Sequence, residues 1–312
     1  MVTLKINNKK IKANEGSTIL EVARANGIHI PTLCSNDALE SYGACRLCIV
    51  EVTQGKRTII ESSCTYLAAE GQDIKTDSPR VVAGRKVVIE LLLARCPNVK
   101  VIQKLAEEYG VKESSPDFGK ENEYCILCGL CVRACNEVVG AGAIQFVGKG
   151  ADKVVDSPFH VSAEDCIACG SCAFVCPTGI IKKNDLEASA VCSPEGTKEE
   201  GPKREILNWQ VEYELKKCFK CGNPFAPQPH LDKLTKELNA LPQFFNYCPS
   251  CRNYIVIDED KCLGCASCME NCPVGALELE DKGGYDKKAK VYTQNCMGCH
   301  TCERYCPVGA IS

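Results

Sequence analysis

The sequence predicts an α+β protein assembled from several small modules held by bound metal rather than by one large apolar core. Three observations carry this. The 312 residues include 26 cysteines, a share at which cysteine chemistry dominates a fold. Only 6% of the residues are aromatic, thin for closing a single core of that size, so bound metal is expected to supply folding energy. And one spacing, C-x2-C-x2-C-x3-C, recurs four times along the chain.

An even number of cysteines suggests disulfides in a short secreted chain, but the opening MVTLKINNKKIKAN shows neither a charged-then-apolar leader nor a twin arginine. A reducing, cytoplasmic location is therefore expected, with the thiols free to bind metal. The longest apolar stretch, VVIELLLA, falls far short of the roughly 18 to 20 residues that cross a bilayer, so no membrane insertion is expected. The formal charge of -3 with intermixed Lys and Glu gives no basic stripe of the kind nucleic-acid binders carry.

Residues 1–78 form the first module. VTLKI and KKIKA flank Asn7-Asn8 as a hairpin, and STILEVARANG reads as a helix with Ser17 at its N-cap and Gly27 at its end. IPTLC then leads into Cys34, the first of four ligands completed by Cys45, Cys48 and Cys64. A ten-residue first gap without a second C-x2-C pair is not a zinc-finger spacing, and it suits a 2Fe-2S cluster. The module resembles a plant-type ferredoxin β-grasp domain. Its ligand loop, SYGACRLCIVEV, resembles that of the large iron-sulfur subunit of respiratory complex I and of the front portion of iron-only hydrogenases.

Residues 79–120 read as a helical connector, VVIELLLARCPNVKVIQKLAEEYGV. The families just named carry a further cubane here, bound by one histidine and three cysteines. This chain has only Cys96 in the stretch and no histidine between His29 and His160, so that cluster is expected to be absent and Cys96 a buried, idle thiol.

Residues 121–182 hold two copies of the repeated spacing, Cys125, Cys128, Cys131 and Cys135, then Cys166, Cys169, Cys172 and Cys176. Three thiolates at every third position let a tight loop wrap three irons of a cubane while the fourth points away. In two-cluster bacterial ferredoxins that fourth cysteine serves the other cluster. This resemblance implies one 4Fe-4S cluster on Cys125, Cys128, Cys131 and Cys176, and a second on Cys166, Cys169, Cys172 and Cys135.

Residues 183–205 are polar and read as a linker, with Cys192 a non-ligand. Residues 206–256 follow with LNWQVEYEL, whose alternation from Leu207 through Trp209 to Leu215 predicts a strand. Cys218, Cys221, Cys248 and Cys251 form two C-x2-C pairs around HLDKLTKELNAL, in which Leu231, Leu234 and Leu238 share a helical face. This is the pattern of a small zinc ribbon, with a single rubredoxin-like iron as the alternative. Arg252 stands where rubredoxins commonly place glycine, which favours zinc. His230 is expected to be a solvated loop residue rather than a ligand.

Residues 257–312 carry the other two copies of the spacing. By the same rule Cys262, Cys265 and Cys268 are completed by Cys306, and Cys296, Cys299 and Cys302 by Cys272, giving a second two-cluster 4Fe-4S domain. CMGCH fits the signature of covalent haem attachment, but its cysteines already belong to the repeat. His300 is expected beside a cluster, donating to its sulfide.

The implied cofactors are one 2Fe-2S cluster, four 4Fe-4S clusters and one zinc. No nucleotide-binding or flavin signature is found, so no catalytic site is expected on this chain. The expected function is an iron-sulfur electron-transfer subunit of a cytoplasmic multisubunit oxidoreductase from anaerobic metabolism. Its partners would be a catalytic oxidoreductase subunit and a flavin/NAD-binding subunit or ferredoxin. Similar relay subunits serve NAD-linked hydrogenases, formate dehydrogenases and tungsten aldehyde oxidoreductases. A free polyferredoxin-type carrier fits the clusters too, but explains neither the 2Fe-2S module nor the ribbon; a metal-dependent structural or sensor protein is the third reading.

Overall fold

The computed structural model describes residues 1–112, 123–160, 163–187, 189–193, 196–238, 242–252, 255–283, 286–292, 295–296 and 298–312; the side chain of Cys192 lies outside the described residues. The chain divides into two compact units. The first comprises Met1–Cys166, Gly170–Lys183 and Leu207–Gln210, and the second Ile167–Cys169, Asn184–Ile206 and Val211–Ser312.

The first unit opens with the hairpin β1 (Val2–Ile6) and β2 (Lys9–Ala13). Asn7 and Asn8 form its turn with φ of 48° and 66°, the left-handed conformation that a two-residue hairpin turn needs and asparagine tolerates. Helix α1 (Ile19–Ala25) follows, capped one residue later than expected. Thr18 rather than Ser17 takes the cap because Glu21 lies three residues on: Thr18 Oγ1 accepts from Glu21 N at 3.3 Å, and the Glu21 carboxylate accepts from Thr18 N at 2.8 Å. Ser17 would have Leu20 at that offset. Strands β3 (Ile49–Gln54), β4 (Arg57–Ser62) and β5 (Asp73–Lys75) complete a five-stranded sheet of order β2-β1-β5-β3-β4, in which only β1 and β5 run parallel. Leu4, Ile6, Ile19, Leu20, Val50 and Ile74 fill the core between α1 and the sheet.

Helix α2 (Pro79–Arg95) starts with Ser78 accepting from Val81 N and a proline at the first position. It lies close against β3 at Gly84, where a Cβ would come within 2.8 Å of Ile49 Cδ1. The next residue, Arg85, is buried and uses that closeness. Its Nε donates to Leu47 O at 3.0 Å, Nη2 to Ile49 O at 2.7 Å and Nη1 to Tyr109 Oη at 3.1 Å. Tyr109 ends α3 (Lys100–Tyr109), which packs on α2 around Ile89, Ile102 and the buried Cys96. Then come α4 (Leu130–Arg133), which runs on into a π-helical turn over Ala134–Val138, the pair β6 (Gln145–Val147) and β7 (Val154–Asp156), and α5 (Ser171–Val175).

In the second unit, the stretch expected to be a polar linker is instead largely stranded. It contains β8 (Lys183–Leu186), the hairpin β9 (Ser189–Ser193) with β10 (Gly196–Glu200), and β11 (Lys203–Ile206). Arg204, only 7% exposed, binds the Asp185 carboxylate with Nε at 2.5 Å and Nη2 at 2.8 Å, tying β11 to β8. Strands β12 (Val211–Lys217) and β13 (Pro224–Pro227) extend this to a four-stranded sheet of order β13-β12-β11-β8. Helix α6 (Gln228–Glu237) packs on it through Leu231; Leu238 lies at the helix end and is exposed, so the expected three-leucine face is shorter than read. Short helices α7 (Ser267–Glu270) and α8 (Thr301–Arg304) bracket the hairpin β14 (Leu277–Gly283) and β15 (Asp286–Val291). A bridge between Ile257 and Ile311 closes this last segment on itself.

Leu207–Trp209, expected to begin a strand, forms a 3-10 turn that belongs to the first unit, and the strand starts only at Val211. Among the described residues no helix is long and apolar enough to cross a membrane.

Candidate metal centres

Cys34, Cys45, Cys48 and Cys64 come together at the edge of the five-stranded sheet, all buried, and within two pairs. Cys48 Sγ lies 3.4 Å from Cys64 Sγ, while Cys45 donates its own backbone N–H to Cys34 Sγ at 3.3 Å. The thiol of Cys45 lowers Cys34 to about 6, against burial, and in return is itself raised. Cys48 is brought to about 6 in the same way by Cys64. Leu33 N donates to Cys45 Sγ at 3.4 Å. The hydroxyls of Ser62 and Ser63 are buried here without a hydrogen-bond partner, and Ser63 lies close enough to Cys48 to favour its thiolate. Four buried sulfurs in two pairs, with amides and an orphan hydroxyl turned toward them, fit a small anionic cluster.

The four copies of the repeated spacing share one backbone conformation. The residue before the second cysteine and the residue after it are left-handed in every copy: Leu127 and Gly129, Ala168 and Gly170, Gly264 and Ala266, Gly298 and His300, with φ between 48° and 82°. In the first and third copies the three thiols of this loop line one cavity, and in every copy the left-handed second residue starts α4, α5, α7 or α8. Gly264 is tied to the motif by space as well: a Cβ there would run into the carbonyl oxygen of Lys287.

The fourth cysteine of three copies is followed by proline and then, at the fourth position after it, an amide that turns back. Ala276 N donates to Cys272 Sγ and Ala310 N to Cys306 Sγ, both at 3.2 Å. At Cys176, burial is opposed by the Thr178 hydroxyl, 3.4 Å away, and the amides of Ile181, Thr178 and Ile180, and these together hold the thiol below its ordinary value. Gly275, Gly309 and Gly179 supply the left-handed step that turns these amides. Cys135 has asparagine after it instead of proline; without the ring to stop it, α4 continues through Cys135 into the π-helical turn, and Cys135 O accepts from Ala141 N at 3.0 Å.

In the first unit a cavity of about 160 Å³ is lined by Cys125, Cys128 and Cys131 of one copy and Cys176 of the other, with Pro177, Ile180, Ile181 and Trp209. Burial pushes Cys128 up to about 11, and burial with the neighbouring Cys128, Cys125 and Cys176 pushes Cys131 up further. Such a group of buried thiols is costly to ionise without a cation among them, so the donor set calls for metal. Cys135 and Cys172 lie on the π-helical turn and on α5, and Cys166 and Cys169 in the loop before α5. In the second unit, Cys262, Cys265, Cys268 and Cys306 line a smaller cavity with Ala289, Leu279 and Ile311. Burial, then Cys299, Cys272 and Cys296, push Cys302 up to about 12.

Cys218, Cys221, Cys248 and Cys251 hold their sulfurs within 4.8 Å of one another, with Cys221 and Cys248 3.9 Å apart; a tetrahedron of thiolates at zinc bond lengths has edges of ~3.8 Å. The two knuckles differ. Gly222 after the first is left-handed, but Arg252 after the second has a negative φ of -80°, its guanidinium lying over Phe244 at 4.6 Å and Phe245 at 4.8 Å. His230 does not join the four sulfurs, and it is not a solvated loop residue either: it lies on α6 with Nδ1 buried and without a partner. His300 differs from expectation as well. Its Nδ1 is 2.7 Å from the Glu303 carboxylate and its Nε2 3.1 Å from Cys251 O, with the ring against Tyr247, so neither nitrogen is free for a sulfide. Sequence reasoning missed this tie between the second C-x2-C pair and the last cysteine run, and also missed Trp209, whose Nε1 lies 3.4 Å from Cys172 Sγ.

Three family models match parts of the chain. Residues 1–79 match a family described as a 2Fe-2S iron-sulfur cluster binding domain. Residues 124–180 and 255–312 each match a 4Fe-4S dicluster domain. Over 215 residues the chain is 34% identical to the NADP-reducing hydrogenase subunit HndD of Solidesulfovibrio fructosivorans, covering 59% of this chain and 36% of that protein. It is 32% identical to one of the NADH-quinone oxidoreductase subunits of Rhizobium meliloti, over 58% of this chain and 24% of that one. The chain thus spans about a third or less of these curated relatives. An NAD+-reducing [NiFe]-hydrogenase in the H2-reduced state contains a chain of similar structure, with a TM-score of 0.50 and 28% identity over 57% of this chain and 85% of that one.

Proposed function

We propose that this chain, with its 2Fe-2S binding domain and two 4Fe-4S dicluster domains, is the electron-transfer subunit of a multisubunit oxidoreductase and carries single electrons between a catalytic subunit and a flavin/NAD-binding subunit or ferredoxin. The observation that carries this is the cavity where Cys176 joins Cys125, Cys128 and Cys131. Four thiolates here would fill the protein-ligand positions of a bound cubane and leave no open iron for a substrate, which suits passage of electrons rather than chemistry on a bound molecule. The relatives named above are subunits of larger oxidoreductases, which favours the subunit reading over a free polyferredoxin.

The first module is read as a β-grasp 2Fe-2S domain in which Cys34 and Cys45 hold one iron and Cys48 and Cys64 the other, following the two sulfur pairs. The cubanes follow the crossed rule: Cys125, Cys128, Cys131 with Cys176; Cys166, Cys169, Cys172 with Cys135; Cys262, Cys265, Cys268 with Cys306; and Cys296, Cys299, Cys302 with Cys272. When bound, such clusters supply reversible one-electron storage over a wide range of potentials. The protein's part is to hold the thiolates, to aim the amides of Ala276, Ala310 and Leu33 at sulfur, and to keep water away with Ile181, Leu279 and Ile311.

The four sulfurs of Cys218, Cys221, Cys248 and Cys251 are read as a zinc ribbon, with a single iron as the alternative; the unequal knuckles at Gly222 and Arg252 favour zinc over a rubredoxin-like pair. Elemental analysis of the anaerobically purified chain tests the whole reading: about 18 irons and one zinc are expected. A count near 14 removes a cubane. The pure chain should accept electrons from dithionite yet oxidise no NADH, formate, aldehyde or hydrogen, and robust turnover by the chain alone would overturn the relay.

A further inference from the structure

We propose that Trp209 is a positioning residue that sets the two cubane sites of the first dicluster domain apart in potential. Its indole N–H donates to Cys172, a ligand of one, while its ring walls the cavity of the other. The inference rests on the relay reading and names a residue that sets its energetics.

Trp209 is the only tryptophan in the chain, and it comes from a segment well downstream of both cysteine runs. Nε1 lies 3.4 Å from Cys172 Sγ, and the side chain is 5% exposed. The same residue stands in the lining of the cavity formed by Cys125, Cys128, Cys131 and Cys176, beside Asn208. The turn that presents it is fastened to this domain by three hydrogen bonds, two to Lys182 and one to Ala163. Leu207 N donates to Lys182 O at 3.2 Å, Lys182 N donates to Asn208 Oδ1 at 2.8 Å, and Ala163 N donates to Trp209 O at 3.3 Å. Gln210, with φ of 52°, then swings the chain away into β12. A tryptophan needed only for packing would not require a clasp of this kind, nor an N–H aimed at a sulfur.

The two contacts act in opposite directions. A cluster gains an electron on reduction, so its thiolates carry more charge in the reduced state. An N–H donor to one of them favours that state and raises the potential. The hydrocarbon face of the indole, by keeping water off the neighbouring site, disfavours the added charge there and lowers its potential. One side chain thus separates two adjacent sites.

The test uses the full chain, loaded with its clusters. Trp209→Phe keeps most of the apolar face and removes the donor. In redox titrations followed by paramagnetic resonance, one cubane should become harder to reduce, its oxidised-to-reduced ratio at fixed potential rising about tenfold, or about 59 mV for a one-electron couple. The other cubanes should stay in place. Because the chain has one tryptophan, biosynthetic replacement by the isosteric benzothienyl analogue changes this residue alone and gives the same shift without altering shape. In the wild type, a hyperfine coupling to an exchangeable proton should be present on that reduced cubane and vanish in both variants. Trp209→Ala, by opening the cavity to water, should raise the potential of the other cubane. Wild-type potentials in the phenylalanine and benzothienyl proteins at full iron content, or a proton coupling that survives in them, would overturn the inference and leave the relay standing. A wild-type chain that holds no cubanes in this domain overturns both.

Discussion

Arg85→Met should loosen the ligand loop of the 2Fe-2S domain without touching a ligand. Arg85 reaches from α2 to the carbonyls of Leu47 and Ile49, on either side of Cys48, and to the hydroxyl of Tyr109. Among the described residues the guanidinium is held by these three bonds and pairs with no carboxylate. A buried hydrogen bond to a charged group contributes about 1.5–3 kcal/mol net. Losing the two backbone bonds therefore costs about 3–6 kcal/mol, and burial of the methionine side chain offsets about 1 kcal/mol. The remaining ~2–5 kcal/mol corresponds to roughly 30- to several-thousand-fold in the opening equilibrium of this loop. Hydrogen exchange at the amides of residues 45–50 in the loaded chain measures that opening directly, and bleaching of the 2Fe-2S absorbance in anaerobic urea should accelerate in parallel. Arg85→Lys keeps the charge but cannot span both carbonyls, so it should recover only part of the loss. Protection in Arg85→Met within threefold of wild type would refute the argument that this helix pins the loop.

Gly264→Ala should cost the cubane of Cys262, Cys265, Cys268 and Cys306, about four irons by analysis, because its Cβ meets the Lys287 carbonyl. Gly309→Ala has the same left-handed backbone but open space, so it should lose only ~1–2 kcal/mol of stability and keep full iron in a thermal bleaching assay. Cys176→Ala should damage the cubane of Cys125, Cys128 and Cys131 and spare that of its own run, as read by the loss of one resonance signal; an anomalous-scattering map with Cys135 on the Cys125 site would refute it. If Cys218, Cys221, Cys248 and Cys251 hold the proposed metal, removing it with a chelator should unprotect residues 211–256 to hydrogen exchange while both dicluster domains persist, since the core around Cys218, Tyr247 and Cys248 is too small to stand alone.

The cysteine positions were legible because the spacing itself carries the geometry: an offset of three with a left-handed step on either side of the middle cysteine makes a three-thiol cup. The hairpin at Asn7-Asn8 was legible for a similar local reason. What sequence reasoning missed is long-range. β8 and β11 are rich in Lys, Asp and Glu and read as linker; their pairing depends on Arg204 meeting Asp185, nineteen residues away. Leu207 and Trp209 fit a period-two pattern, but the hydrogen bonds to Lys182 and Ala163 pull them into a turn. His300 looked like a cluster neighbour by sequence distance, yet its partners are Glu303 and Cys251.

The cavity that Cys176 shares with Cys125, Cys128 and Cys131 has a consequence for the order in which its proposed ligands become available. About fifty residues of synthesis separate Cys125 from the thiol that completes its set, so a nascent chain emerging from the ribosome first offers a three-thiol cup with one side open. If Cys176 completes this set, as proposed, a fourth protein ligand for the cluster becomes available only once residue 176 has been made. On the crossed reading, loading of this site follows completion of the second cysteine run rather than accompanying the first.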